Sequence, residues 1–189
     1  MTALFLSLLM SCDNIARTSA KVFPWVEKVN PDLAEDPVEC SPDYNTPTPR
    51  NGCIMADLQC GSIVEGSTVT GGKNWGDEFY ANHFCSVERH QYHEAPEAIY
   101  RLHVPPNLRA TIKLISNCAE LDLAAVGWPE DRCPTEQHMI HECEMDVSRG
   151  GGSVVVQTVD NPQYFLVGVD GKNGETGNFR LEVSCHTYR

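Results

Sequence analysis

The sequence predicts an all-β sandwich, and three observations carry that expectation. Short apolar runs of strand length recur from about Leu58 onward, punctuated by Gly, Pro, Asn and Asp. This is the spacing of packed antiparallel sheets rather than of βαβ units. No stretch of useful length repeats its apolar residues at helical intervals. Nine cysteines in 189 residues, with no Cys-x-x-Cys pair, point to a disulfide framework made in an oxidising compartment rather than to a zinc ribbon or a thioredoxin-type motif.

The chain begins with Thr2-Ala-Leu-Phe-Leu-Ser-Leu-Leu-Met-Ser-Cys12. This apolar run has the length of a secretory h-region and is too short to span a bilayer. Its end, Leu9-Met-Ser-Cys12, resembles a bacterial lipobox, which makes Cys12 the lipid-attachment residue and residues 1–11 a signal-like leader. Taking Cys12 out of the nine leaves eight cysteines, enough for four bridges. A plain secretory leader and a buried N-terminal strand are the other readings of this run.

Residues 12–57 read as an extended tether. Asp13 to Thr18 is polar, Lys21-Val-Phe-Pro-Trp-Val26 has apolar surface enough to dock, and Asn30 to Gly52 is rich in Pro, Asp, Asn and Thr. The last composition gives a stiff, poorly packed segment.

Residues 58–189 carry the strands. Ser62-Ile-Val64 and Ser67-Thr-Val-Thr70 flank Glu65-Gly66, expected to be a turn. In Ala98–Val104, Tyr100, Leu102 and Val104 alternate with Arg101 and His103, so one face is inward and one wet. Pro105-Pro-Asn107 forces a turn. Ala110, Ile112 and Leu114 then line one face of the next strand, Leu121–Val126 is a buried run, and Val154–Val159 follows three glycines. In Tyr164–Val169 both faces are apolar, the mark of a strand covered on both sides. Asp170-Gly171 and Asn173-Gly174 tolerate positive φ and predict a tight hairpin to Phe179–Val183, at whose end Cys185 is placed to staple the strand.

Composition excludes some functions. Hydrophobic content of 41% is enough for a core, and a net charge of −12 argues against nucleic acid, which is held by clustered Lys and Arg. It suits a self-repelling extracytoplasmic surface. No Gly-x-Ser-x-Gly or His-Glu-x-x-His occurs, so no catalytic residue is assigned and the chain is not expected to be an enzyme.

Eight cysteines, Cys40, Cys53, Cys60, Cys85, Cys118, Cys133, Cys143 and Cys185, allow about 105 pairings. The pairings expected are Cys40–Cys53 and Cys133–Cys143 as local loops, with Cys60–Cys185 and Cys85–Cys118 completing the set. His90-Gln-Tyr-His93-Glu94 and His138-Met-Ile-His141-Glu-Cys143 place two histidines three residues apart, a spacing that can share a metal on a helical turn. Neither segment follows a helix pattern, so solvent-facing loop histidines are the simpler account. Trp25, Trp75 and Trp128 could stack on sugars, although buried tryptophans are ordinary in a sandwich.

The order Ser67-Thr…Gly72, Ile99–Val104, Ala110-Thr-Ile-Lys-Leu114, Leu121-Asp-Leu123, Cys133…Cys143, Tyr164-Phe-Leu-Val-Gly-Val-Asp-Gly171 and Gly177–Val183 resembles the bacterial pre-peptidase C-terminal domain family over about Gln59 to Cys185. The resemblance implies a jelly-roll-like sandwich and a non-catalytic accessory role in secretion, substrate binding or assembly. Here no catalytic domain accompanies it. The implied protein is a lipid-anchored or secreted subunit, in the periplasm or at the cell surface, whose partners are proteins of an envelope or extracellular complex. Some family members bind calcium through acidic loop residues, and Asp122, Asp146 and Asp170 are the candidates for Ca2+ here. A stand-alone calcium- or carbohydrate-binding module is the alternative, and no other cofactor is expected.

Overall fold

The computed structural model describes residues 38–40, 47–82, 95–135, 137, 138, 140, 142–146 and 148–187. All belong to the unit Pro37–Arg189. The leader, Cys12, Trp25, Cys85, His90, His93 and His141 lie outside the described residues.

Among the described residues, nine strands and one short α-helix follow in order: β1 Ile54–Leu58, β2 Ile63–Ser67, α1 Asp77–Asn82, β3 Ala98–Val104, β4 Leu108–Ile115, β5 Leu121–Gly127, β6 Cys143–Asp146, β7 Ser153–Gln157, β8 Gln163–Gly171 and β9 Asn178–Thr187. They form two sheets, one of five strands in the order β1-β3-β8-β5-β6 and one of four in the order β2-β9-β4-β7. The protein is an all-β sandwich. Every pairing is antiparallel except β1 with β3, which is parallel. Because β1 adds an edge strand to the first sheet, the expected end of the tether at residue 57 runs through a strand.

The core follows from alternation. Tyr100, Leu102, Val104, Leu123, Phe165, Val167 and Val169 from the first sheet meet Ala110, Ile112, Leu114, Val156, Phe179, Leu181 and Val183 from the second, all at most 4% exposed. The inward faces read from sequence for β3 and β4 are therefore the core faces. The opposite face of the first sheet is not wet. Ile54, Ile99, Ala124, Val126 and Leu166 lie beneath a second layer built from Trp75, Phe79, Tyr80 and Trp128. That cover explains why β5 and β8 are apolar on both sides.

Two local expectations are corrected. Glu65-Gly66 is no turn, since β2 runs through it and pairs Glu65 with Arg180 and Gly66 with Phe179. Gly66 has a packing role instead. A Cβ there would stand 2.6 Å from the Tyr100 hydroxyl and 2.9 Å from Phe179 Cζ. The second correction concerns Asp170–Gly174, which does not close a hairpin. β8 sits between β3 and β5 with both edges occupied, so the chain leaves the first sheet through a turn at Lys172–Gly174, with Asn173 at φ 53°, and β9 pairs with β2 and β4. Among the described strands only β5–β6 joins sequence neighbours within a sheet. The rest arch across the sandwich.

Among the described residues three bridges join cysteine to cysteine: Cys40–Cys118, Cys53–Cys133 and Cys60–Cys185, spanning 78, 80 and 125 residues. Cys60–Cys185 coincides with the expected pair. The local loops do not form. Cys40 is brought to Cys118 because Val38 and Asn117 exchange hydrogen bonds, Val38 N to Asn117 Oδ1 at 3.0 Å and Asn117 Nδ2 to the Val38 carbonyl at 3.1 Å. Cys53 turns into the outer layer, where Cys133 also packs. Cys118 is thereby unavailable to Cys85, and Cys133 to Cys143. Cys143 is also disulfide-bonded.

Candidate binding site

Among the described residues a cleft of about 310 Å3 opens where β5, β6 and β8 end side by side. Its shape is fixed by backbone. Gly127 N donates to the Glu142 carbonyl at 2.8 Å, and Trp128 N donates to the Tyr164 carbonyl at 2.9 Å. Pro129 and Pro162 stop the two strands at this point, since proline cannot continue a ladder, and both line the opening with Gln163.

Each ring is held from behind. The Trp128 indole N–H donates to the Arg132 carbonyl at 2.6 Å, and the His138 ring meets it edge-on at 5.0 Å. Only 6% of Trp128 is exposed. The Tyr164 ring carries the Arg101 guanidinium at 3.8 Å and His103 at 4.8 Å. Arg101 is fixed in turn by the Pro129 carbonyl at 3.2 Å and by Asp131 at 3.9 Å. Glu142 brings a carboxylate to the floor. A Cβ on Gly127 would stand 3.2 Å from Glu142 Cβ and 3.5 Å from its Oε2, so the missing side chain makes room for it. Loss of water around Glu142, and secondarily the charge of Glu144, raises its pKa above the ordinary carboxylate value.

The three aspartates picked from sequence do not share one place. Asp122 and Asp170 face each other across β5 and β8, both buried, under the aromatic layer. Asp170 takes the Tyr80 hydroxyl on Oδ2 at 2.7 Å and the Gly171 N–H on Oδ1 at 2.8 Å. Lys172 Nζ stands 3.8 Å from Asp122. Burial pushes the Asp170 carboxyl well above the usual range, and the neighbouring Glu97 and Asp122 push the same way. Glu97 is 1% exposed. One of its oxygens accepts from the backbone and side chain of Asn74 and from Trp75 N, while Oε2 has no partner among the described residues. Asp146 lies on β6 opposite Leu123 and caps the β6–β7 turn, accepting from Ser148 N at 2.9 Å and Ser153 N at 2.8 Å. Among the described residues no three or more His, Cys, Asp or Glu side chains are grouped so that they could hold a metal ion. His138, one of the histidines at metal-sharing spacing, uses Nδ1 to accept from Thr135 N at 2.9 Å.

Sequence reasoning missed Tyr164 and Glu142 as a pair with Trp128. The available signal was the twin stops Trp128-Pro129 and Asn161-Pro162, which end neighbouring strands at one level.

Fold and cleft define a disulfide-stapled β-sandwich with an aromatic-walled recess at one end of a sheet. No family model matches the sequence, and no curated protein matches it. Among solved structures, the chain is similar to the pre-peptidase C-terminal domain of collagenase from Bacillus anthracis, at 13% identity and a TM-score of 0.41, covering 71% of this chain and 100% of that one. It is also similar to PliG of Aeromonas hydrophila, a periplasmic lysozyme inhibitor of g-type lysozyme, at 12% identity and a TM-score of 0.42, covering 71% of this chain and 98% of that one. The first is a domain of the kind the strand order resembles. Identities this low carry no activity across to this chain.

Proposed function

We propose that this protein is a non-catalytic, extracytoplasmic β-sandwich that works by binding a protein partner in an envelope or extracellular assembly, and that Cys12 anchors it to a membrane through lipid. The observation that carries the binding reading is the cleft itself. Its two aromatic walls are pinned by hydrogen bonds and ring contacts before any ligand arrives, which is the preorganisation a binding pocket needs. Bridges spanning 78 to 125 residues support an oxidising compartment. Sugar stacking gains less support, because Trp75 and Trp128 are 1% and 6% exposed and a glycan platform presents an open ring face.

A photoreactive amino acid at Gln163, on the rim, tests the binding site in the native host. A discrete adduct that disappears in the Tyr164→Ala background supports the reading, and the absence of any adduct overturns it. Intact mass of protein taken from native membranes tests the anchor. A mass for 12–189 plus diacylglyceride and acyl groups is expected, with thiols alkylated only after reduction. A chain of that length without lipid removes the anchor.

A further inference from the structure

We infer that the cleft accepts a basic side chain, lysine or arginine, presented by the protein partner. This rests on the binding reading above and names the chemistry that the same cleft selects.

Of the described residues lining the cleft, Glu142 is the one that carries a formal charge. It is half-buried, and among the described residues no side-chain donor lies within hydrogen-bond reach of its carboxylate. Among the described residues, the two nearby arginines are engaged elsewhere. Arg101 lies over Tyr164 and is bound to the Pro129 carbonyl, and Arg132 pairs with Glu130 at 2.5 Å. A partly desolvated carboxylate with a second acid, Glu144, beside it is improved by an incoming cation and by little else. A neutral donor offsets the penalty less than a cation does, and an anion adds to it.

The walls agree with the floor. The half-buried Tyr164 ring already carries one cation, Arg101 at 3.8 Å, and Trp128 with the two prolines lines the cleft with apolar surface for a methylene stem. A cavity of about 310 Å3 lies at the lower end of the roughly 300–1,000 Å3 found for ligand pockets, a size for one long side chain rather than for a helix or strand. At longer range the net charge of −12 attracts a basic surface and repels an acidic one.

The test uses the full disulfide-bonded chain labelled with 5-fluorotryptophan, its Trp128 fluorine resonance assigned through Trp128→Phe. The probes are N-acetyl-arginine amide, N-acetyl-lysine amide and the neutral isostere N-acetyl-citrulline amide. Saturable movement of the Trp128 resonance is expected with arginine and lysine, at least about fivefold tighter than with citrulline. Glu142→Gln should erase that preference while leaving the unliganded spectrum in place, and Tyr164→Leu should weaken both cations. Equal binding of citrulline and arginine, an unmoved Trp128 resonance, or a preference that survives Glu142→Gln overturns the inference. If the Gln163 adduct still forms in any of those cases, the binding reading stands and only its cationic chemistry falls. Loss of both removes the two together.

Discussion

The Tyr80 hydroxyl donates to Asp170 Oδ2 at 2.7 Å, and both side chains are at most 2% exposed. Asp170 therefore sits in the fold with its pKa raised, mainly because burial penalises the charged carboxylate. The folded value lies above the unfolded value of about 3.9, so between the two the folded chain binds more protons than the unfolded one. Stability from this group is complete below the unfolded pKa and is lost as pH rises through the folded one. Glu97, also raised by burial, acts in the same direction. Urea unfolding from pH 4 upward should show a declining contribution that Asp170→Asn flattens. An unchanged slope in that variant would assign the pH dependence to other groups.

Removing the donor is a separate expectation. Tyr80→Phe leaves Asp170 Oδ2 without the hydroxyl in a dry site, a loss of about 1–3 kcal/mol. The decrease should be larger at neutral pH than at pH 4, because the hydroxyl holds the folded Asp170 pKa down and its loss lets that value rise further. Parallel urea titrations at the two values check it.

Gly168 and Trp75 are locked together. A Cβ at Gly168 would overlap Trp75 Cζ3 and stand 2.8 Å from its Cε3, and the indole cannot retreat because Phe79 stacks on it at 4.8 Å. Gly168→Ala should destabilise the chain by about 1–3 kcal/mol and change the emission of the buried indole. Full stability with an unchanged spectrum would show that the outer layer gives way freely.

The Cys60–Cys185 bridge closes a separation of 125 residues, joining the loop before β2 to the end of strand β9. The chain-entropy account assigns such a loop about 4–5 kcal/mol when it is the sole link, and the other bridges already shorten the unfolded chain. Cys60→Ser with Cys185→Ser should therefore cost about 2–4 kcal/mol. Guanidinium unfolding is expected to move to a lower midpoint, with the transition still cooperative.

How far these features could be read in the sequence depends on how local their causes are. The faces of β3 and β4 were legible because the alternation of Tyr100, Leu102 and Val104, and of Ala110, Ile112 and Leu114, is set by the pleat alone. The double-sided burial of β8 was legible for the same reason. Its connection was not. Asp170-Gly171 and Asn173-Gly174 have hairpin chemistry, yet β3 and β5 occupy both edges of β8, and no residue in the turn records that. The cysteines show the same limit, since Cys40 meets Cys118 through Asn117, 77 residues away. The cleft combines residues from three strand ends, and of these only Trp128 stood out by type. Glu142 matters because Gly127 leaves room above it, a relation that exists only across a sheet.

That Asn117 contact supports the last prediction. Its amide mimics a strand neighbour, accepting from Val38 N and donating to the Val38 carbonyl, and it sets a 2% exposed Val38 against the sandwich. The Cys40–Cys118 bridge lies two residues on. It ties the segment to the fold covalently but satisfies neither backbone group. Asn117→Ala should thus leave the bridge intact while removing two hydrogen bonds, each worth about 0.5–1.5 kcal/mol. Amide exchange at Val38 is expected to accelerate by tens of fold, with global unfolding shifted by about 1 kcal/mol or less because the opening is local. Equal loss of protection at Val38 and in β8 would mean instead that this clamp belongs to the cooperative core. Unchanged exchange at Val38 would mean that the disulfide and the burial of the valine side chain hold the segment without it.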